Sequence, residues 1–321
     1  MVESRREYRR HKKKRKRKIF LSSLLLFLLL GIGWTSYEYM AGKRDAMGES
    51  SGELENVSKY ADEFKGVDNE DGKTTVLLMG VDSREEGDVA RTDTIMVAQY
   101  DPEKNSAKLV SLMRDMYVDI PGHGKNKLNA AFAIGGPELL RQTIKENFGI
   151  NSEYYAIVDF EGFKQIVDTI APDGVTIDVE KDMYYKDNAG TIDLEEGTQT
   201  LNGDELLGYA RFRHDAESDF GRVRRQQQVM KALKEELVSA SGLLKIPRLI
   251  GTLQPFIDTN IGSGKMLDLA KDFLLNPPEN VETLRLPVEG SFWNDSVPGV
   301  GAILAYDEEE NRQAIQDFLG K

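Results

Sequence analysis

TTVLLMGVDSREEGDVARTDTIMVAQY, residues Thr74–Tyr100, reads as two apolar strand runs joined by a polar connection. Thr74–Val81 and Thr94–Tyr100 are rich in β-branched and aliphatic residues, the composition of strands inside a sheet. Working outward, further strand runs fall at Ala107–Leu112, Tyr117–Ile120, Tyr154–Asp159, Val175–Val179 and Val281–Pro287. Helical patterns alternate with them: Pro137–Asn147 after the Gly135-Gly136 breaker, Phe163–Ile170, Leu201–Tyr209 opened by Asn202 or Asp204, Arg222–Ser239, Lys265–Leu275 and Glu308–Leu319. Pro247 interrupts one more helical stretch. Such alternation packs helices on a sheet, so the expected class is α/β, a three-layer αβα arrangement with a central mixed β-sheet. Strand order does not follow from the pattern.

With 40% hydrophobic and 30% charged residues, the chain has an ordinary globular balance. Its net charge of −12 conceals an asymmetry, because Met1–Lys18 holds eleven Lys or Arg against Glu3 and Glu7. The remainder is strongly acidic and would be repelled by a phosphate backbone, which argues against nucleic acid as a partner. Ile19–Tyr37 carries no charge and is dense in Leu, Ile and Phe, long enough to span a bilayer core of about 30 Å. Trp34, Tyr37 and Tyr39 sit at its far end, where aromatic rings favour the headgroup level. The basic run before it predicts a single-pass type II protein of the cell membrane, with the N-terminus cytoplasmic and the rest extracytoplasmic. A cleaved signal peptide is the rival, disfavoured by the length of the apolar run and the lack of a small-x-small site after it. The expected segments are a cytoplasmic head at 1–18, a transmembrane helix at 19–41, a stalk at 42–72 and a catalytic domain at 73–321.

Three motifs carry chemistry. In the opening stretch, Asp82 lies just past one strand and Asp93 just before the next, so the two carboxylates can share one hard cation at a common rim. Mg²⁺ needs only a couple of carboxylates plus water and phosphate oxygens. Arg84 and Arg91 lie on the same connection, and guanidinium forks match phosphate geometry. Surface ion pairs are the other reading of this segment. In SLMRDMYVDIPGHGKNKLNAAFAIGG, residues 111–136, Arg114 ends an apolar run, and Lys127 and Asn129 can approach the same rim from a glycine-rich turn. GYARFRHDAESDFGRVRRQQQVM, residues 208–230, groups Arg211, Arg213, Arg222, Arg224 and Arg225 in an acidic setting. Arg222, Arg225 and Gln226 share one helical face and are expected to present donors to one anion, whereas Arg224 points elsewhere. Internal ion pairs with Asp215, Glu217 and Asp219 compete with that reading.

Other chemistries fall away. With no cysteine there is no disulfide, thiolate metal site or thiol nucleophile, and the histidines His11, His123 and His214 lack zinc-hydrolase spacing. No GxSxG, Walker A or GxGxxG motif occurs.

Taken together, GVDSR at Gly80–Arg84, RTDT at Arg91–Thr94, Arg114-Asp115, KLNAAFAIGG from Lys127, VDFEGF from Val158, and YARFR followed by DFGRVRRQQ resemble the LytR-CpsA-Psr family of cell-wall glycopolymer ligases. The resemblance covers about Lys73–Gln228. It departs at Met113, where the family commonly has proline, and at Ala171-Pro172-Asp173-Gly174, which replaces a Gly-Gly. It implies a Mg²⁺-dependent phosphotransferase, with Mn²⁺ as a substitute. The enzyme would move an undecaprenyl-pyrophosphate-linked polymer such as wall teichoic acid to the muramic acid 6-hydroxyl of peptidoglycan. By motif, Asp82 and Asp93 would hold the metal, one of them serving as base, and Arg114 would join them in catalysis. Arg84, Arg91, Arg114, Arg211, Arg213, Arg222, Arg225 and Gln226 would hold the pyrophosphate. The polyprenyl chain would need an apolar tunnel, with Phe160, Phe163, Ile166, Val167 and Ile170 as candidates, although the same residues suit an ordinary core. A polyprenyl-pyrophosphate pyrophosphatase and a non-catalytic anchored wall-polymer receptor are the competing functions, and a membrane-tethered transcription regulator lacks any helix-turn-helix pattern.

Overall fold

The computed structural model describes residues 33–44, 58–68, 72–82, 91–187, 190–238, 242–253 and 256–320. The strands are β1 Thr74–Asp82, β2 Arg91–Asp101, β3 Ser106–Leu112, β4 Tyr117–Ile120, β5 Gly124–Lys127, β6 Tyr154–Asp159 and β7 Val175–Val179. They continue as β8 Met183–Asp187, β9 Gly190–Leu194, β10 Gly197–Leu201, β11 Ile257–Thr259, β12 Val281–Leu286, β13 Phe292–Val297 and β14 Gly301–Tyr306. The helices are α1 at residues 33–44, α2 Leu128–Phe148, α3 Phe160–Ile170, α4 Gly203–Arg211, α5 Ser218–Val238, α6 Gly242–Leu253, α7 Ser263–Leu275 and α8 Glu308–Leu319.

A mixed six-stranded sheet runs β11-β6-β1-β2-β3-β12. β1 pairs parallel with β6 and β3 with β12, whereas β2 is antiparallel to both its neighbours. The carboxyl ends of β1, β3, β6 and β12 and the amino end of β2 therefore share one rim, the edge at which open α/β sheets bind ligands. Leu77, Met79, Val97 and Val110 on the sheet pack with Leu140 and Ile144 of α2 and Ile315 and Leu319 of α8. Each such side chain contributes about 1.5–3 kcal/mol of burial. A second core gathers Val167 and Ile170 of α3, Val175, Ile177 and Val179 of β7, Leu206 and Tyr209 of α4, and Val229 and Leu233 of α5.

Caps aim the helices at the rim. Asp159, the last residue of β6, accepts from Gly162 N–H at 2.7 Å and opens α3. Asn202 and Glu205 form a reciprocal capping box on α4, each bond 3.0 Å. α2 begins earlier than the sequence pattern suggests: helical turns flank a kink at Gly135 and Gly136, and Gly136 has φ 62°, ψ −159°, a conformation only glycine adopts readily.

Several expectations are corrected. The body does not begin at Lys73, because Phe64 is buried in the first core, Val67 N–H donates to Ser152 O at 3.1 Å and Ser58 donates to Asp258 at 2.7 Å. Residues 58–68 therefore belong to the fold, held by apolar burial that the polar composition of the supposed stalk hides. β4 leaves the central sheet and pairs with β5 as a hairpin. The hairpin β8–β9 and the pairs β7–β10 and β13–β14 were not foreseen, since GTIDL, GTQTL and FWNDSV are short and half or more of each is polar or glycine.

Among the described residues no helix is long and apolar enough to cross a membrane. The basic head and residues 19–32 lie outside them. α1, which holds the end of the apolar segment, packs on α6: a Cβ at Gly42 would meet Arg248 O and one at Gly251 would meet Tyr39 O. Thr252 donates to Gly42 O at 3.3 Å across the same contact.

Candidate active site

The site grows from a bulge. In the β1–β2 ladder Gly80 faces Thr94 but Val81 faces Thr92, so Asp93 is the extra residue. A bulge bends the strand and re-aims its side chain. Asp93 accepts a hydrogen bond from Arg114, which follows the end of β3. Asp82 ends β1 opposite Arg91, so the two sequence-predicted metal ligands lie on adjacent strand ends. The side chains of Asp82 and Arg91 lie outside the described part of the structure, and Arg84 lies outside it altogether.

α5 crosses this rim. Arg222 donates to Asp219 at 2.9 Å and to the Asp93 carbonyl at 3.2 Å, and Gln226 donates to Thr94 Oγ1 at 2.8 Å. Arg114 Nε lies 3.5 Å from both Asp115 and Asp219, and Lys127 Nζ is 3.2 Å from Asp115. Asn129 N–H donates to Arg114 O at 3.1 Å, so the glycine-rich turn does approach from the side, as its sequence suggested. Asp219 and Asp115 enter the cluster without having been singled out as site residues. The i, i+3 spacing of Asp219 and Arg222 was the available signal.

Burial and neighbouring charge act on the two arginines in opposite net directions. Burial lowers the Arg114 pKa, but Asp219, Asp93 and Asp115 outweigh it and the net direction is up. Arg222 goes the other way: burial lowers it first, Asp219 only partly compensates, and repulsion from Arg114 and Arg213 adds to the fall. Both guanidiniums stay charged, since arginine does not deprotonate in proteins. Nε of Arg114 and Nε of Arg222 are enclosed and make no hydrogen bond. Two guanidiniums at one rim suit the oxygens of a phosphate. Arg213 is exposed and lies close enough to raise the potential at Arg222. Arg211 ends α4 with its guanidinium 4.4 Å from the Phe160 ring centroid.

Arg225 departs from the expected set. Its side chain is 0% exposed and donates to Glu180 at 2.8 Å, Asp215 at 3.0 Å and Phe212 O at 2.7 Å, while Arg224 pairs with Glu180 and Glu217. Sharing a face with Arg222 did not bring Arg225 to the site, because Glu180 after β7 and Asp215 before α5 enclose it. The proposed lipid-lining residues are likewise accounted for by packing: Val167 and Ile170 are buried in the second core and Phe163 and Ile166 pack against it.

The enclosed network makes a pH prediction. Burial raises the Glu180 and Asp215 pKa values, but hydrogen bonds from Arg225, Tyr209 and Arg224 to Glu180, and Lys181 with Arg225 beside Asp215, outweigh it and hold both below the usual range. A depressed folded-state pKa gives stability that is complete above the unfolded value, about 4, and lost as pH falls through the folded one. The melting temperature is expected to drop below about pH 4, with Asp215→Asn flattening that acid limb. An unchanged limb in the variant would refute the assignment.

With this geometry in place, the relatives are informative. The chain matches the LytR_cpsA_psr family over residues 36–316. It is 47% identical to the regulatory protein MsrR of Staphylococcus aureus over 80% of this chain and 77% of that one. It is 30% identical to the polyisoprenyl-teichoic acid–peptidoglycan teichoic acid transferase TagU of Oceanobacillus iheyensis over 96% of each. Its fold matches the crystal structure of Bacillus subtilis TagV with a TM-score of 0.66 and 29% identity, covering 78% of this chain and 99% of that one. The family match over most of the chain, the two relatives and the shared mixed-sheet fold agree, and the chain belongs to the LytR-CpsA-Psr family.

Proposed function

We propose that this protein is a glycopolymer transferase that moves a pyrophosphate-linked anionic polymer, such as wall teichoic acid, from an undecaprenyl carrier to the muramic acid 6-hydroxyl of peptidoglycan. The observation that carries the reading is the pair of guanidiniums, Arg114 and Arg222, that converge on the bulged Asp93, Arg114 bonding its carboxylate and Arg222 donating to its carbonyl at 3.2 Å. Kinship with TagU, named for teichoic acid transfer to peptidoglycan, supports the same chemistry.

The acceptor oxygen attacks the polymer-side phosphorus, the phosphorus–oxygen bond to the lipid phosphate breaks, and lipid monophosphate leaves. Arg114 and Arg222 would bind and orient the bridging phosphates and neutralise charge that builds on the leaving oxygen, which is most of what phosphoryl transfer requires. Asp93, with its side chain 30% exposed, would take the acceptor proton.

Among the described residues no group of three metal-ligating side chains occurs. The donor chemistry nevertheless fits Mg²⁺ or Mn²⁺, because Asp93 and Asp82 are hard carboxylate donors on neighbouring strand ends and Mg²⁺ takes its other ligands from water and phosphate. When bound, the ion would neutralise phosphate oxygens. We place the N-terminal segment in the cell membrane and the body on its outer face, on the charge pattern of residues 1–41.

The test incubates the full chain in detergent with a synthetic lipid-pyrophosphate disaccharide and peptidoglycan oligomers. A glycan-phosphate-peptidoglycan conjugate is expected with Mg²⁺, falling about 10²-fold or more in EDTA. Release of lipid phosphate without conjugate would replace the transferase reading by the pyrophosphatase, and tight binding without turnover would leave a receptor.

A further inference from the structure

The rim does not end at Arg114. β3 and β12 run parallel with Ser111 opposite Arg285, and Met113 N–H donates to Leu286 O at 3.1 Å, so the residues after β12 lie beside those after β3. Between them and the start of α5 is a groove of about 400 Å³, within the size range of small-molecule sites. Phe220, Leu284 and Val288 form its apolar part. Phe220 is stacked on Phe292 at 4.8 Å, and the Arg285 guanidinium lies 4.5 Å from its ring centroid and 5.8 Å from that of Phe292.

The groove differs from the cluster beside it in its apolar strip. Its charged groups cancel: Arg285 pairs with Glu289 at 2.9 Å and Arg224 with Glu217 at 3.1 Å. Two carboxylates with no surplus cation give an anionic polymer no reason to enter, and like charges disfavour it. Carboxylates and guanidiniums around an apolar strip instead suit a neutral ligand that both donates and accepts hydrogen bonds. The Arg285 side chain, 24% exposed, is the guanidinium that lines the groove next to Phe220. The start of α5 serves both places, sending Asp219 to the arginine cluster and Phe220, with Glu217 just before the helix, to the groove. β12 is two strands from β2, a separation of about 10 Å that a short oligosaccharide spans.

We propose that this groove is the acceptor subsite, binding a hydroxyl- and amide-bearing sugar unit of the acceptor glycan so that the acceptor hydroxyl reaches Asp93 from the β12 side. The inference rests on the transferase reading above and assigns the acceptor its own side of the site. The anionic donor then meets the arginines at the centre and on the β6 side, where Arg211 lies over Phe160.

The test uses the full chain in detergent, an uncrosslinked peptidoglycan tetrasaccharide as acceptor, and the variants Arg285→Ala and Glu289→Gln, neither of which touches the Asp93 cluster. Acceptor KM is expected to rise about tenfold or more in Arg285→Ala, with a smaller rise in Glu289→Gln. Donor affinity and the wild-type kcat at saturating acceptor should be kept. Acceptor KM unchanged in both variants overturns the subsite while leaving the transferase intact. If the wild type forms no conjugate, calorimetric titration with the tetrasaccharide decides: binding that Arg285→Ala loses supports the subsite, and no wild-type binding overturns it.

Discussion

Arg114→Ala is expected to lower conjugate formation by about 10²–10³-fold, the usual loss when one preorganised donor to a developing oxyanion is removed. Arg114 touches Asp93, Asp115 and Asp219 at once, so in the proposed reaction it would orient the bulged carboxylate as well as meet the phosphate. Arg114→Lys should not rescue, since an ammonium on a flexible stem cannot reproduce a planar fork aimed at two partners. The comparison to make is kcat and donor affinity for wild type, Arg114→Ala and Arg114→Lys, with melting curves to confirm folding. Near-wild-type turnover in the folded alanine variant would remove Arg114 from the catalytic set.

Arg225→Ala is expected to act on the fold instead, costing about 3–5 kcal/mol, the penalty for leaving buried charges without their partner. Glu180 and Asp215 would keep Arg224 and Lys181 on the solvent side but lose the one cation that reaches them from inside. The Phe212 carbonyl would lose its donor and the Phe212 ring its guanidinium, 5.4 Å from the centroid. For a body of this size the melting temperature should fall by roughly 10 °C. Arg224→Ala, half exposed and paired with Glu217, should cost about 1 kcal/mol or less. An Arg225→Ala protein that melts like wild type yet fails to bind the lipid pyrophosphate would return Arg225 to the ligand-binding set.

Legibility in the sequence followed how local the cause was. β1, β2, β3 and β6 were visible as apolar runs because strands buried in the central sheet must be hydrophobic along much of their length. β9, β10 and β13 were not, because their ladders depend on a partner strand more than on their own side chains. The Asp159 cap and the Gly135-Gly136 kink lay close to where the pattern changed. Residues 58–68 were misassigned because one buried Phe64 and a few backbone hydrogen bonds, none with a periodic signature, tie them down.

By itself, the sequence determined the strand-and-helix alternation, the pairing of aspartates with arginines at strand ends, and the family. These are properties of short windows, and short windows are where composition and spacing act. Only the tertiary structure decided which arginines stand at the rim beside Asp93 and which are enclosed elsewhere. Helical periodicity sets the angle at which Arg222, Arg225 and Gln226 leave α5, but their surroundings come from distant chain: Asp93 lies 129 residues from Arg222, and Glu180 lies 45 residues from Arg225. The bulge that aims Asp93 is likewise a property of two strands in register, absent from either alone.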